Sequence, residues 1–275
     1  MKYGPLARDR HALYEAAVQG VEQDLDLFER IYRNVRGRGF RLLREDFCGT
    51  AQLACAWVLR GPDHRAWGVD LDAEPLAWAR RVHFPAMRAA ARRVTLRRGD
   101  ARRADGPRVD LICAMNFSYW VFHQRRELVR YFAAARRSLR RGGVLIVNAF
   151  GGTEAMEPMV ERRRVPVTNA PDGTLLPPFL YEWEHLDFDP VSHRIRCDIH
   201  FRFRDGTQMR RAFRYDWRMW TLPEIRDALA DAGFRRSDVY LENMSTTTGE
   251  GTGVYRRRDH AENQEGWLAI VVGVR

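Results

Sequence analysis

Apolar residues recur every three or four positions from Arg10 to Tyr32, at Leu13, Ala17, Val21, Leu25, Phe28 and Tyr32. That spacing predicts one amphipathic helix or a pair of them, ended by Gly37 and Gly39. From Phe40 onward, short apolar runs alternate with helix-forming stretches. Phe40–Arg44, Ala66–Val69, Val94–Arg98, Val109–Met115 and Val144–Ala149 read as strands. The run VDLICAM at Val109–Met115 is nearly continuous in apolar residues, as a central parallel strand covered on both faces should be. Helices are expected over Gln52–Arg60, over Ala73–His83 with Asp72 as N-cap, and over Arg125–Arg140. Five β-then-α units in order predict a doubly wound parallel sheet.

The texture changes after Phe150. Gly151–Pro178 is rich in Pro, Gly and Thr and reads as an irregular connection. Arg194–Arg204 then alternates strictly, with Ile195, Cys197, Ile199, Phe201 and Phe203 on one face and charged or polar residues on the other. This is a half-buried antiparallel strand. Asp205-Gly206 predicts a hairpin turn, Met209–Met219 the returning strand, and Tyr181–Phe188 a third. Thr221–Gly233 has an N-cap Thr, a Glu three residues on and a terminal Gly, the signature of a helix. Val239–Glu242 and Trp267–Val274 complete the main sheet, and Asn243–Gly266 between them reads as a long loop. The whole predicts an α/β fold of seven main strands, with a small antiparallel insert and an N-terminal helical segment.

Composition narrows the classes. An apolar content of 45% and a charged content of 30% describe a globular protein with a substantial core. No apolar run approaches the roughly 20 residues of a membrane helix, and the N-terminus lacks a secretory segment, so a cytoplasmic location is expected with no membrane partner. Cys48, Cys55, Cys113 and Cys197 form no CxxC pair; they read as reduced, buried thiols, and no metal site is expected. The net charge of +10 raises nucleic acid as a partner. Lys2 is the only lysine among 46 basic residues, however, and the arginines are scattered over every predicted helix surface. A codon bias would produce that pattern without any footprint.

The chemistry gathers at strand ends. Leu42–Ala54, LLREDFCGTAQLA, reads as strand, tight turn and helix, which points backbone N–H groups at a ligand. The first strand ends in Glu45-Asp46, the second in Asp70, the third in Asp100, and the fourth runs into Asn116. In an open α/β sheet, ligands bind outside these carboxyl ends, at the switch point. Asp70 follows Gly49 at the spacing from which a carboxylate reaches a ribose. GxGxxG is absent from the first turn, which speaks against a nicotinamide dehydrogenase.

Phe47-Cys48-Gly49-Thr50-Ala51 resembles the GCGTG turn of class I S-adenosylmethionine-dependent methyltransferases, and the Glu45-Asp46 pair sits where that family keeps its acid. The resemblance extends over about Arg41–Gly151. It implies a Rossmann-like core over residues 40–150, completed by residues 221–275, with a helical cap over 1–39 and a substrate-side insert over 151–220. It further implies S-adenosyl-L-methionine as cofactor. By resemblance, Asp46, Phe47, Cys48 and Gly49 line the methionine end, and Asp70 holds the ribose. Leu71 packs on the adenine, Asp100 and Ala101 bond its edge, and Met115 and Asn116 border the sulfonium, with Tyr14 reaching in from the cap. Phe47 and Ala51 depart from the family, which usually has glycine there; the first glycine permits an unusual backbone path.

Methyl transfer from a sulfonium is an in-line displacement for which positioning is the main contribution. A neutral amine needs no strong base, whereas a hydroxyl does. Acid–base candidates are His123 and Tyr119 after the fourth strand, and Glu182, with His185, in the insert. Trp120, Tyr181, Trp183, Trp217 and Tyr255 are expected to form the wall for a small-molecule acceptor. The expected activity is methylation of a small-molecule N or O. An RNA methyltransferase using the Arg-rich surface, and a non-catalytic S-adenosylmethionine-binding protein, are the alternatives. A Gly249–Gly253 loop with Tyr255 and Arg256–Arg258 is expected to act as a lid, not as a phosphate loop, because no helix follows it.

Overall fold

A central strand of the main sheet is the nearly continuous apolar run Val109–Ala114, buried along its whole length. The computed structural model describes residues 3–245, 247 and 251–275. In chain order, helices α1 (Arg10–Val18) and α2 (Val21–Arg36) precede β1 (Leu42–Asp46), α3 (Gln52–Leu59), β2 (Arg65–Asp70), α4 (Ala73–Met87) and β3 (Val94–Arg98). Then follow β4 (Val109–Ala114), α5 (Arg125–Ser138) and β5 (Leu139–Gly151). The insert carries β6 (Met159–Val165), the two-residue strands β7 (Thr168–Asn169) and β8 (Leu175–Leu176), β9 (Phe179–Asp189), β10 (Arg194–Phe203) and β11 (Gln208–Arg218). Helix α6 (Leu222–Asp231), β12 (Arg236–Met244), β13 (Gly251–Arg257) and β14 (Trp267–Val274) close the chain.

The main sheet has the order β13-β12-β14-β5-β4-β1-β2-β3. Strands β1 to β5 are parallel, and β14 runs antiparallel between β5 and β12. The doubly wound α/β sheet is therefore as expected, with the switch point between β1 and β4. It has eight strands instead of seven, because β13, expected as loop, pairs with β12 at the edge. Every residue of β4 is buried. Its one acid, Asp110, accepts from the Arg41 and Leu42 amides at 3.1 and 3.0 Å and from Arg140 at 2.9 Å. A buried carboxylate so paired fixes where β1 begins.

The two faces of the sheet form separate cores. One holds α2 and α3, where Trp57 is stacked between Phe40 and His64 at 4.0 and 3.8 Å. The other holds α5 and α6, with Tyr131, Phe132 and Trp220. A full capping box starts α6: Thr221 accepts from the Glu224 amide, and Glu224 accepts from the Thr221 amide, a cap of about 1 kcal/mol.

The insert is a four-stranded antiparallel sheet, β11-β10-β9-β6. Its fourth strand, β6, lies in the stretch expected to be irregular. The predicted apolar face of β10 packs at one end on the α5 side of the main sheet and at the other on Leu13 and Ala17 of α1. On its opposite side α1 meets α4, where Trp78 Nε1 donates to Asp9 at 2.9 Å. Helix α1 is thus wedged between the insert and α4. Among the described residues no helix is long and apolar enough to cross a membrane.

Candidate active site

The β1–α3 turn carries three residues with left-handed backbone: Phe47 (φ 57°), Gly49 (φ 50°) and Ala51 (φ 56°). Phe47 and Ala51, which stand where glycine is usual, keep the conformation that glycine favours, at a cost of about 1–3 kcal/mol each. The Phe47 ring offsets part of this by packing edge-on against Tyr131 and Phe122, 5.5 and 5.8 Å away. A Cβ on Gly49 would meet no atom within 4 Å, so the turn faces open space. A Cβ on Gly68 would lie 2.9 Å from Cys48 Sγ; this glycine lets the Cys48 side chain tuck under the sheet, where burial raises its thiol pKa.

Asp70 holds the turn from β2. Its Oδ2 accepts from the Gly49 amide at 2.7 Å and its Oδ1 from the Asp72 amide at 2.9 Å. Burial raises its pKa, and these amide bonds oppose the rise. A carboxylate has about four acceptor sites, so two remain for further donors. Beside it Leu71 is 61% exposed, an apolar side chain at a strand end with nothing over it.

The two acids ending β1 point to opposite faces. Glu45 accepts from the Ala54 amide at 2.9 Å, and burial pushes its pKa up to about 8. Asp46 lies within the other core, accepting from Arg44 Nε at 2.6 Å and Tyr131 at 3.2 Å. Its side chain is fully enclosed. The expectation that Asp46 reaches the cofactor is corrected: its partners are internal. Asp100 is gripped by Arg102, with Nε at 3.1 and 3.0 Å and Nη2 at 2.8 Å, which holds its carboxyl below its usual range. Its neighbour Ala101 is buried in the α5-side core.

At the end of β4, Asn116 and Phe117 also take left-handed backbone (φ 53° and 56°). The Phe117 amide donates to Asn148 Oδ1 at 3.0 Å, and Met115 accepts from Ser118 Oγ at 2.7 Å. Strained non-glycine residues at two neighbouring strand ends mark the switch point as a place built for something other than stability.

Tyr14 of α1 closes the site. It lies beside Asn116 and Tyr215 of β11, and burial pushes its pKa up to about 12. The Tyr215 phenol is raised as well, by burial first and then by Tyr14. One residue of the cap thereby meets the end of β4 and the insert. Tyr215, Trp217 and Trp183 form a ring cluster with centroids 4.3 to 5.8 Å apart, and Phe117 reaches Trp217 at 6.0 Å.

The other candidates are placed elsewhere. Tyr119 is buried and donates to the Asn148 carbonyl at 3.0 Å, so it is a structural hydroxyl. Trp120 is buried against Phe150, and Tyr181 lies in the insert's core. His123 Nε2 is bonded to the Asp216 carbonyl at 2.9 Å, bracing β11. Glu182 lies on the outer face of the insert, paired with Arg162 at 2.7 Å and with Arg202, on the face opposite Trp183. Its assignment to the reaction is corrected on that ground. His185 Nε2–H donates to the Asp187 carbonyl, 3.0 Å away, and burial lowers its pKa. Tyr255 sits at the sheet edge on β13, bonded to Glu242 at 3.4 Å, apart from the ring cluster. Of the expected lid, Gly249 and Glu250 lie outside the described residues.

Two contributors were missed in the sequence. Tyr215 is one of several aromatic residues in the strand predicted over Met209–Met219, and nothing in the sequence sets it apart from them. Glu15, on the exposed-looking side of an amphipathic helix, is buried, with Oε1 bonded to the Thr50 hydroxyl and to His83 at 2.8 Å. Its Oε2 is buried without a hydrogen-bond partner among the described residues. An orphaned carboxylate oxygen beside the cofactor turn fits a ligand that brings a cationic donor, as a methionine ammonium does.

Residues 45–143 match a family model described as a methyltransferase domain. Over that span, about a third of its length, the chain is similar to methyltransferase domains. The fold recurs in the S-adenosylmethionine-bound amino pentose methyltransferase of Micromonospora echinaspora, from calicheamicin biosynthesis (18% identity, TM-score 0.66, covering 98% of this chain and 99% of that one). It recurs in a sugar N-methyltransferase of Streptoalloteichus (20%, 0.65, covering 100% and 96%) and in an S-adenosylmethionine-dependent methyltransferase of Clostridium acetobutylicum (17%, 0.63, covering 96% of each). No curated protein matches the sequence. The open Gly49 turn, the spare acceptor sites of Asp70, bare Leu71 and buried Glu15 Oε2 fit S-adenosyl-L-methionine.

Proposed function

We propose that this methyltransferase methylates an amine nitrogen of a small polar molecule, of the amino-sugar class. The observation that carries the reading is the place of the Tyr14 hydroxyl, beside both Asn116 and Tyr215. S-adenosyl-L-methionine supplies an electrophilic methyl on a sulfonium. Asp70 and the Gly49 turn are assigned to hold its ribose and methionine ends, and Leu71 to cover its base. The phenols of Tyr14 and Tyr215 have pKa values raised well clear of neutrality, so at pH 7 they are hydrogen-bond partners and not bases. An acceptor at this place has to bring its own lone pair, which a neutral amine does and a hydroxyl does only after losing its proton. Tyr14 and Asn116 can orient such a nitrogen, and the Tyr215, Trp217 and Trp183 rings offer faces to its cationic product. The named activities of the two sugar-methylating relatives support the same acceptor class.

The test is turnover of matched acceptors, a nucleotide-linked aminodeoxysugar against its hydroxyl counterpart, read by product mass. Methylation is expected on the amine alone, with a rate that rises as the acceptor's own amine deprotonates. Equal methylation of the hydroxyl sugar would discard the reading.

A further inference from the structure

A cleft of about 560 Å³ opens between α2 and the β12–β13 hairpin, a volume in the range of small-molecule sites. It is not the donor site. Strand β12 is parallel to β5, so Arg236–Tyr240 lie toward the amino ends of the parallel strands, away from the ends that carry Asp70 and Asn116.

Its lining is strongly cationic. Residues 236, 238 and 240 share one face of β12, and the register sets Arg257 opposite Tyr240. Asp238, with its side chain 3% exposed, holds Arg236 by Nε at 3.0 Å and Arg257 by Nε at 3.1 Å. A guanidinium held by its Nε keeps an Nη edge for another partner, and a fixed fork of that kind is what grips phosphate oxygens in pairs. Arg257 spends one Nη on exposed Asp259 at 3.2 Å. From α2, Arg30 donates to the Tyr255 carbonyl at 3.3 Å, while Arg256 has no ionic partner among the described residues. The Tyr240 phenol, raised first by burial and then by Asp238, also feels Arg30, Arg236 and Arg257, so these groups surround one point.

The chain is arginine-rich throughout, and some of its arginines are balanced locally. Arg60 meets Glu22, Asp26 and Glu29, Arg194 meets Asp216, and Arg196 meets Asp187. The cleft instead sets four arginines against a single lining carboxylate. Like charges crowded into a concavity repel one another unless an anion enters.

We propose that this cleft binds a small diphosphate-bearing ligand, either a nucleoside polyphosphate or pyrophosphate itself. The ligand is chelated by the guanidinium forks that buried Asp238 orients, with Arg30 and Arg256 closing over it. The experiment titrates inorganic pyrophosphate, ADP and a short single-stranded RNA into the full chain by calorimetry. Saturating S-adenosylhomocysteine is present throughout, to occupy the donor site. Saturable heat is expected with pyrophosphate and ADP, weakening as salt is raised. ADP binding more tightly assigns a nucleoside subsite, and equal affinities assign the diphosphate alone. The double variant Arg30→Ala/Arg256→Ala, which leaves the Asp238 pairs intact, is expected to lose at least about tenfold in affinity. Its S-adenosylhomocysteine affinity should be unchanged, which verifies the fold. No heat with either phosphate, equal affinity in the double variant, or tighter binding of RNA than of both would overturn the proposal.

Discussion

Removing the Asp70 carboxylate tests the donor site at the residue with the most to lose. Its two oxygens accept from the Gly49 and Asp72 amides at 2.7 and 2.9 Å, and its remaining acceptor sites are assigned to the ribose hydroxyls. Hydrogen bonds to a charged group are worth about 1.5–3 kcal/mol net. Losing one ribose bond of that size corresponds to about 10- to 100-fold in affinity, and losing two to about 100- to 10,000-fold. Asp70→Ala also frees the Gly49 amide, so the turn itself loosens, and about 1–3 kcal/mol of stability goes with it. Asp70→Asn discriminates further. An amide has a single acceptor oxygen, so one of the two backbone N–H groups would face an N–H; the nearly isosteric change should cost at least as much as a neutral truncation. S-adenosylhomocysteine titration by calorimetry measures the affinity, and denaturant unfolding measures the stability. Wild-type affinity in Asp70→Ala would refute the ribose assignment, and wild-type behaviour in Asp70→Asn would refute the role of the paired oxygens in holding the turn.

Other outcomes follow from the same geometry. Tyr14→Phe, which removes only the hydroxyl beside Asn116 and Tyr215, should lower kcat by about tenfold or more while donor affinity stays near wild type; a pure loss of donor affinity would contradict this. Arg44→Met leaves Asp46 buried without its cation and should destabilise the fold by about 3–5 kcal/mol, read as a shift of the urea midpoint. Stability should also fall as pH rises from about 4.5 to about 8, because Glu45 binds its proton more tightly folded than unfolded. That slope has a ceiling of about 1.4 kcal/mol per pH unit, and Glu45→Gln, which can still accept from Ala54, should flatten it.

Much of the fold could be read from periodicity, and the parts that could not have physical causes. The apolar runs that became β4 and the middle of β5 are buried on both faces, so their pattern is unmistakable. Edge strands carry charge to discourage pairing. Thus β6, with Glu161 followed by Arg162–Arg164, and β13, with Arg256 and Arg257 after two glycines, read as loop. At the site, Asp70, Gly49 and Asn116 were legible because strand ends converge at a switch point whatever the rest of the chain does. Asp46 was not, since alternation sends adjacent acids to opposite faces without saying which face is core. Glu15 was hidden for a related reason: its burial is decided by Thr50 and His83, 35 and 68 residues away. Tyr119 and His123 sat in the right segment, but their hydrogen bonds to the backbone at Asn148 and Asp216 depend on β5 and β11.

A crystal structure with S-adenosylhomocysteine tests the convergence of cap, strand ends and insert most directly. The expected density sets the ribose hydroxyls on Asp70, the α-ammonium within reach of Glu15 Oε2, and the sulfur facing Asn116 and the Tyr14 hydroxyl. Adenosine bound away from Asp70, or a sulfur directed away from the Tyr14–Tyr215 pair, would contradict it.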